Sequence, residues 1–337
     1  MNKFNIEQIK TRLLLAKELD LKGDDIMSIT EQSGGFINYL FKIETKKGLF
    51  FLKQFLKELK HESFKNLELG PSSRINLSYS VNNKFENVLG ENSHIVPHIY
   101  FCDLNEGYLI MNGFENVSPL FNKLENGEAD CEIVLTLAER IATIHQNTYI
   151  NPNRTQDLYN NEWLGLKLKY QYYEMAKLLD DVSATILNNF ADNYKNNKLV
   201  LTHGDFCSIN ILLDKENLKN IHIIDFEDAH IGTPAFDLGY FLSEFLIMAE
   251  NFKEKRKEIF QTMKDFLDRY FIIFNKHDRG IVEKEVTIHA ASLVLYRLFG
   301  LSKDIFTKHV NDVARSSLKN KAVIMINSNK SIKEFLR

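Results

Sequence analysis

Asp205, Asn210 and Asp225 carry the strongest chemical signal in this chain. Asp205 closes the strand-like run "KLVLTHGD", Asn210 stands five residues later just before "ILLD", and Asp225 follows the apolar run "IHII". An amide carbonyl and a carboxylate are hard oxygen donors, the kind Mg²⁺ takes together with phosphate oxygens. A further carboxylate on a neighbouring loop accepts the proton of a substrate hydroxyl. That division of labour belongs to phosphoryl transfer. Each of the three alone also reads as an ordinary turn residue. Together, each at a strand end, they read as a site.

The elements needed to position them follow from the patterning. Positions 211–213 and 221–224 pair as a hairpin around Asp214-Lys215-Glu216-Asn217, which puts Asn210 and Asp225 at one open end. Upstream, 5–20 reads as an amphipathic helix. Phe36–Glu44 and Leu49–Phe55 read as a hairpin around Thr45-Lys46-Lys47-Gly48. A helix is predicted over 72–89, and two strands over 94–114 around Asn105-Glu106-Gly107. From about Asp130, and again after Phe236, apolar residues recur at the helical period. The expectation is an α+β chain with a small strand-rich lobe over 1–112 and a larger helical lobe over 113–337, the polar motifs clustering where the two meet.

Bulk properties exclude several classes. In 337 residues, 44% are hydrophobic and 26% charged, ordinary for a globular protein. A net charge of −3 gives no basic field for nucleic acid or an anionic membrane. The three cysteines, Cys102, Cys131 and Cys207, show no paired ligand spacing and suit a reducing cytosol. The opening "MNKFNIEQIKTRLLLAKELD" is charged throughout and reads as a helix rather than a signal peptide. No apolar run is long enough to span a bilayer. A cytoplasmic monomer or homodimer is expected.

"HGDFCSIN", "IIDFEDA" and "GTPAFDLGYF" resemble the aminoglycoside phosphotransferase and choline kinase superfamily, a divergent branch of the protein-kinase-like fold. The resemblance implies a bilobal α+β fold with a nucleotide-binding lobe over 1–112 and a catalytic and substrate-binding lobe over 113–337. It implies Asp205 as catalytic base, Asn210 and Asp225 as Mg²⁺ ligands, ATP or GTP as donor, and a small-molecule hydroxyl as acceptor. Asp237 matches a residue that braces the catalytic loop, and a helix N-cap is the other reading. His203 reads as structural, and Gly204 as a close passage of backbone. His145, a lone histidine on a helix, also reads as structural.

On the nucleotide side, Ser33, Gly34, Gly35 and Asn38 in "SGGFIN" allow backbone to approach phosphates, or form an ordinary turn. Lys53 shares a strand face with Phe51 and Phe55. It holds phosphates if the strand is central, or keeps its head in solvent if the strand is at an edge. Residues from Met111 to Phe114 resemble the adenine-binding hinge. Glu86 and Glu68 are both candidates for the helix glutamate that pairs with the strand lysine, and neither is assigned.

For the acceptor, "SGGFINYLFKIETKKGLFFLKQFL" and "LVLYRLFGLSKDI" resemble 5-methylthioribose kinases. Arg297 matches one substrate-reaching arginine of that family, while Tyr296 stands in place of the other. Asn210 and "IDFE" depart from that family toward the general superfamily form. Methylthioribose or a related sugar is the first expectation. An aminoglycoside or choline-type amino alcohol is the alternative, and a non-catalytic kinase-like protein is the alternative of another class. Glu227 and Asp228 face substrate or form a solvated loop, and Arg297 reaches substrate or makes a structural ion pair. Tyr170, Tyr172, Tyr173 and Trp163 pack in the core or stack on substrate.

Overall fold

The computed structural model describes residues 2–32, 37–57, 71–90, 94–149, 161–301 and 303–337. It divides into two compact units. The first is Met1–Val117 with His222–Glu227; the second is Ser118–Ile221 with Asp228–Arg337.

In the first unit, β1 (Ile26–Glu31), β2 (Tyr39–Thr45), β3 (Gly48–Gln54), β4 (Ile99–Asp103) and β5 (Tyr108–Asn112) form an antiparallel sheet in the order β1-β2-β3-β5-β4. Period-two alternation sends Phe41, Ile43, Phe50 and Leu52 to one face. There they bury against Ile9 and Leu13 of α1 (Ile6–Leu15). The other face packs Phe55, Ile99 and Leu109 with Ile75 of α2 (Pro71–Leu89). Asn5 caps α1 in a reciprocal capping box with Gln8, but the helix is shorter than 5–20: it ends at Leu15 and gives way to a 3₁₀ turn over Lys17–Leu19. The hairpin of β2 and β3 turns where expected, with Thr45 opposite Gly48.

The chain enters the second unit at β6 (Val117–Pro119) and continues through α3 (Phe121–Glu125) and α4 (Cys131–Thr148). Next comes α5 (Asn161–Leu168), joined by a π-helical turn at Lys169–Tyr173 to α6 (Glu174–Ala176). Then come α7 (Asp181–Asn196), β7 (Val200–Thr202), β8 (Ile211–Asp214), β9 (Ile221–Ile223), whose last two residues belong to the first unit, and β10 (His230–Gly232). β10 pairs antiparallel with β7. The chain closes with α8 (Ala235–Asn251), α9 (Arg256–Ile273), α10 (Arg279–Phe299), α11 (Lys303–Phe306) and α12 (Asp312–Ser328).

Nearly every residue of α8 is buried, the pattern of a central helix rather than a surface one. It packs on α9 and α10, and α10 packs in turn on α12. A Cβ at Gly239 would lie 2.4 Å from the Cβ of His289, so a glycine lets these two backbones approach. Among the described residues, no helix is long and apolar enough to cross a membrane.

Candidate active site

In the first unit, the residues flagged from sequence assemble around Lys53. β3 is the middle strand of five, which removes the edge-strand reading, and the lysine side chain is only 13% exposed. Its ammonium donates to Asp225 Oδ1 at 2.6 Å and lies 3.5 Å from Glu227 Oε2. Glu227 also accepts from the Asn38 amide, whose Oδ1 accepts from Arg74 of α2 at 2.8 Å. Arg74 is fully buried and donates again to the carbonyl of Leu56. A relay of alternating donors and acceptors thus runs Arg74, Asn38, Glu227, Lys53, Asp225.

Asp225 holds a positive φ of 72°, an uncommon conformation for a residue with a Cβ and one that clusters at functional sites. Next to it, Phe226 packs edge-on against Phe85 of α2, with ring centres 5.0 Å apart. Only Oδ1 of Asp225 is bonded among the described residues, which leaves Oδ2 uncommitted.

Several expectations change here. Glu227 neither faces solvent nor stands open to a substrate: it is buried within the relay. Glu86 pairs with His98 at 2.9 Å rather than with Lys53, and Glu68 lies outside the described residues. So do Ser33, Gly34 and Gly35. Met111 sits opposite Phe51 on β5, and the ring of Phe114 stacks on His222 with centroids 3.8 Å apart.

In the second unit, the loop following β7 is held mainly through its backbone. Asp237, fully buried, accepts from the N–H of His203 at 2.7 Å and of Gly204 at 3.0 Å. It is the third residue of α8, not its N-cap, which corrects the capping alternative. Its carboxylate also meets His145 Nε2 at 3.1 Å, and His145 Nδ1 meets the Tyr270 hydroxyl at 2.8 Å. Burial pushes the Asp237 pKa up, but bonding and charge from His145, with help from His203, more than offset this and hold it below the usual value.

Two turns along α8, Glu244 accepts from the N–H of Ser208 at 3.2 Å. Glu244 in turn is paired with Arg297 at 2.8 Å. Arg297 is 1% exposed, donates also to Ser243 and to the Tyr240 carbonyl, and lies over the Phe306 ring. The structural ion-pair reading is therefore the one its geometry matches.

Inside the loop, Asn210 Nδ2 donates to Asp205 Oδ2 at 2.9 Å and to the Asp205 carbonyl at 3.0 Å. Among the described residues, Asn210 Oδ1 receives no hydrogen bond. Asn210 in this unit, and Asp225 in the first, each keep one hard oxygen uncommitted, the type of donor that Mg²⁺ takes. Among the described residues, no cluster of three His, Cys, Asp or Glu forms a metal site by itself.

Gly204 has φ +81°, and a Cβ there would lie 1.9 Å from the carbonyl oxygen of Asp228. Only glycine fits that position. His203 Nδ1 accepts from the Asp205 N–H at 3.2 Å, a structural role. Tyr172 is a core residue bonded to His289, and Tyr173 bonds Asp192, so this pair reads as packing.

The second unit thus carries an acid and an amide on a backbone-braced loop, and the first carries a strand lysine paired with two further acids. Residues 125–261, which contain Asp205, Asn210, Asp225 and Asp237, match the model of the phosphotransferase enzyme family. The fold is similar to choline kinase LicA from Streptococcus pneumoniae, with 15% identity and a TM-score of 0.55, covering 96% of this chain and 98% of that one. It is also similar to APH(2")-IIa in its ternary complex with streptomycin and ATP, with 15% identity and a TM-score of 0.51, covering 97% and 99%. An ethanolamine kinase from Plasmodium vivax matches at 14% identity and a TM-score of 0.52, covering 96% and 89%. No curated protein matches the chain. Over residues 125–261 the chain is similar to that family, and the likeness to these solved structures shows a shared fold.

Proposed function

We propose that this chain is an ATP- and Mg²⁺-dependent kinase that transfers the γ-phosphoryl group to a hydroxyl of a small molecule. Asp205 takes the proton of the attacking hydroxyl. Asn210 Oδ1 and Asp225 Oδ2 are the oxygens offered to Mg²⁺, which when bound neutralises phosphate charge. Lys53 holds the donor phosphates, exchanging part of its bond to Asp225 for them. Buried Asp237 and Glu244 fix the loop backbone, so that Asp205 needs no reorganisation at the moment of reaction.

The observation that carries this reading is the bracing of the Asp205 loop. Two carboxylates of one central helix are spent on the loop's backbone N–H groups, while the Asp205 carboxylate is bonded, among the described residues, only to the Asn210 amide. A turn with no catalytic duty has no use for two buried acids.

Methylthioribose or a related pentose remains the first acceptor to try, supported by the opening motif around "SGGFINYLFKIETKKGLFFLKQFL". The burial of Arg297 removes the other residue on which that choice leaned. A choline-type or aminoglycoside acceptor is the second reading, supported by the likeness to solved choline kinase and streptomycin-bound structures. The test is a coupled ADP assay with ATP or GTP against methylthioribose, ribose, choline, ethanolamine and streptomycin. Turnover stimulated by an acceptor and abolished in Asp205→Ala supports the kinase; turnover indifferent to that substitution refutes it.

A further inference from the structure

Lys167 lies on α5, outside every motif, yet it is almost fully buried. Its ammonium bonds Asp228 Oδ2 at 2.7 Å and sits 5.2 Å from the centre of the Tyr240 ring. The Asp228 carbonyl is packed directly on Gly204, the residue before Asp205. The lysine pair therefore adjoins the loop that carries the base, and the Asp205 carboxylate acts on the ammonium charge. Burial disfavours the ammonium charge, but the carboxylates of Asp228 and Asp205 more than offset it, so the lysine stays protonated at any working pH.

An ammonium has three N–H donors. Among the described residues, Asp228 accepts one and nothing accepts the other two. A buried donor left unmade is costly, so such a group points to a ligand. The chemistry names that ligand. Phosphoryl transfer spreads negative charge over the equatorial oxygens of the group in flight, and cations must meet it. The loop "HGDFCSIN" contains no Lys or Arg. Arg297, the other cation coupled to Asp205, has its guanidinium spent on Ser243, Tyr240 and Glu244. Of these two, among the described residues, Lys167 keeps donors in hand.

We propose that Lys167 is a further catalytic residue, its ammonium donating to the equatorial oxygens of the transferred phosphoryl group as that group meets the acceptor beside Asp205. The inference rests on the kinase reading above. In the step, the bond from the acceptor oxygen to phosphorus forms and the bond from phosphorus to the ADP oxygen breaks. Its electron pair leaves with ADP, the acceptor proton passes to Asp205, and Lys167 keeps its own protons throughout.

Water serves as the probe acceptor, so the test needs no identified substrate. Basal hydrolysis of Mg–ATP and binding of Mg–ATP by calorimetry are measured for the wild type, K167M, K167R, K167M/D228N and D205A, with folding checked by circular dichroism. K167M should lower kcat about 100-fold with the Kd for Mg–ATP nearly unchanged, and K167R should recover part of the rate. The double variant removes both charges, so it folds even if K167M alone strands a buried carboxylate; it should be as slow as K167M. A folded double variant hydrolysing ATP at close to the wild-type rate overturns the proposal. So does a K167M loss confined to Mg–ATP binding with kcat unchanged, because that would make Lys167 a donor-binding residue. The D205A arm tests the kinase reading separately, through its own loss of turnover.

Discussion

The two units hold their acids in opposite ways. In the first, Asp225 and Glu227 are held by side chains: Lys53, Asn38 and, at one remove, Arg74. In the second, the loop of Asp205 is held by its backbone, through N–H bonds to Asp237 and Glu244. Side-chain partners can be exchanged for a ligand without moving the chain, whereas backbone bracing fixes a reacting group in place. The first arrangement suits residues that must trade partners when a charged donor arrives, and the second suits a base.

The comparison breaks most readily at Gly204. Gly204→Ala forces a Cβ onto the Asp228 carbonyl at a positive φ, and should cost on the order of 3 kcal/mol, read as a drop in thermal midpoint together with loss of turnover. A fully stable Gly204→Ala protein would mean that the loop is not rigidly braced. Next in size is Asp237→Asn, which weakens a buried carboxylate shared by two backbone donors and His145; a loss of about 2 kcal/mol is expected in denaturant unfolding.

The same unit should show a pH signature. Burial lowers the pKa of His230 to about 4 and of His289 to about 3, below the ordinary 6.5. As pH falls below 6.5, the unfolded chain takes up protons that these folded histidines refuse, so stability declines from there toward pH 4. Asp237 acts lower: its folded pKa is depressed, so its contribution is present above its ordinary value of 3.8 and is lost as pH falls through the folded value. Denaturant melts at pH 7 and pH 5 should differ; equal stabilities at the two would contradict the burial of these rings.

Lys53→Met should behave differently from all of these. It should weaken Mg–ATP binding about tenfold while shifting the thermal midpoint little, since its partners are part-exposed or shared. A stability loss as large as that of Gly204→Ala would erase the distinction between the units. Smallest of all, Glu86→Gln should leave turnover within about twofold, because Glu86 serves a surface pair with His98.

What could be read in advance followed local rules. The β2–β3 hairpin, the helices at 71–89 and from Cys131, and the acid-amide spacing of Asp205 and Asn210 depend on periodicity and near neighbours. What escaped depends on distant pairing. The carboxylates facing Lys53 stand more than 170 positions away, so neither nearby glutamate, Glu86 or Glu68, could be assigned to it from sequence. Arg74, Glu244 and Lys167 belong to no motif; the one hint was that each is a charge inside a helix that must bury a face. Arg297 was visible as a residue but not as a role, because only the fold shows Glu244 against it.

The most direct test of the account is ADP formation from Mg–ATP by the wild type and by Asp205→Ala, both shown to be folded. Turnover in the wild type and a fall of about 10²–10⁴-fold in the variant, with Mg–ATP binding intact, is the predicted result. An equal rate in both proteins would contradict the assignment of Asp205 as the base and the phosphotransferase mechanism built on it.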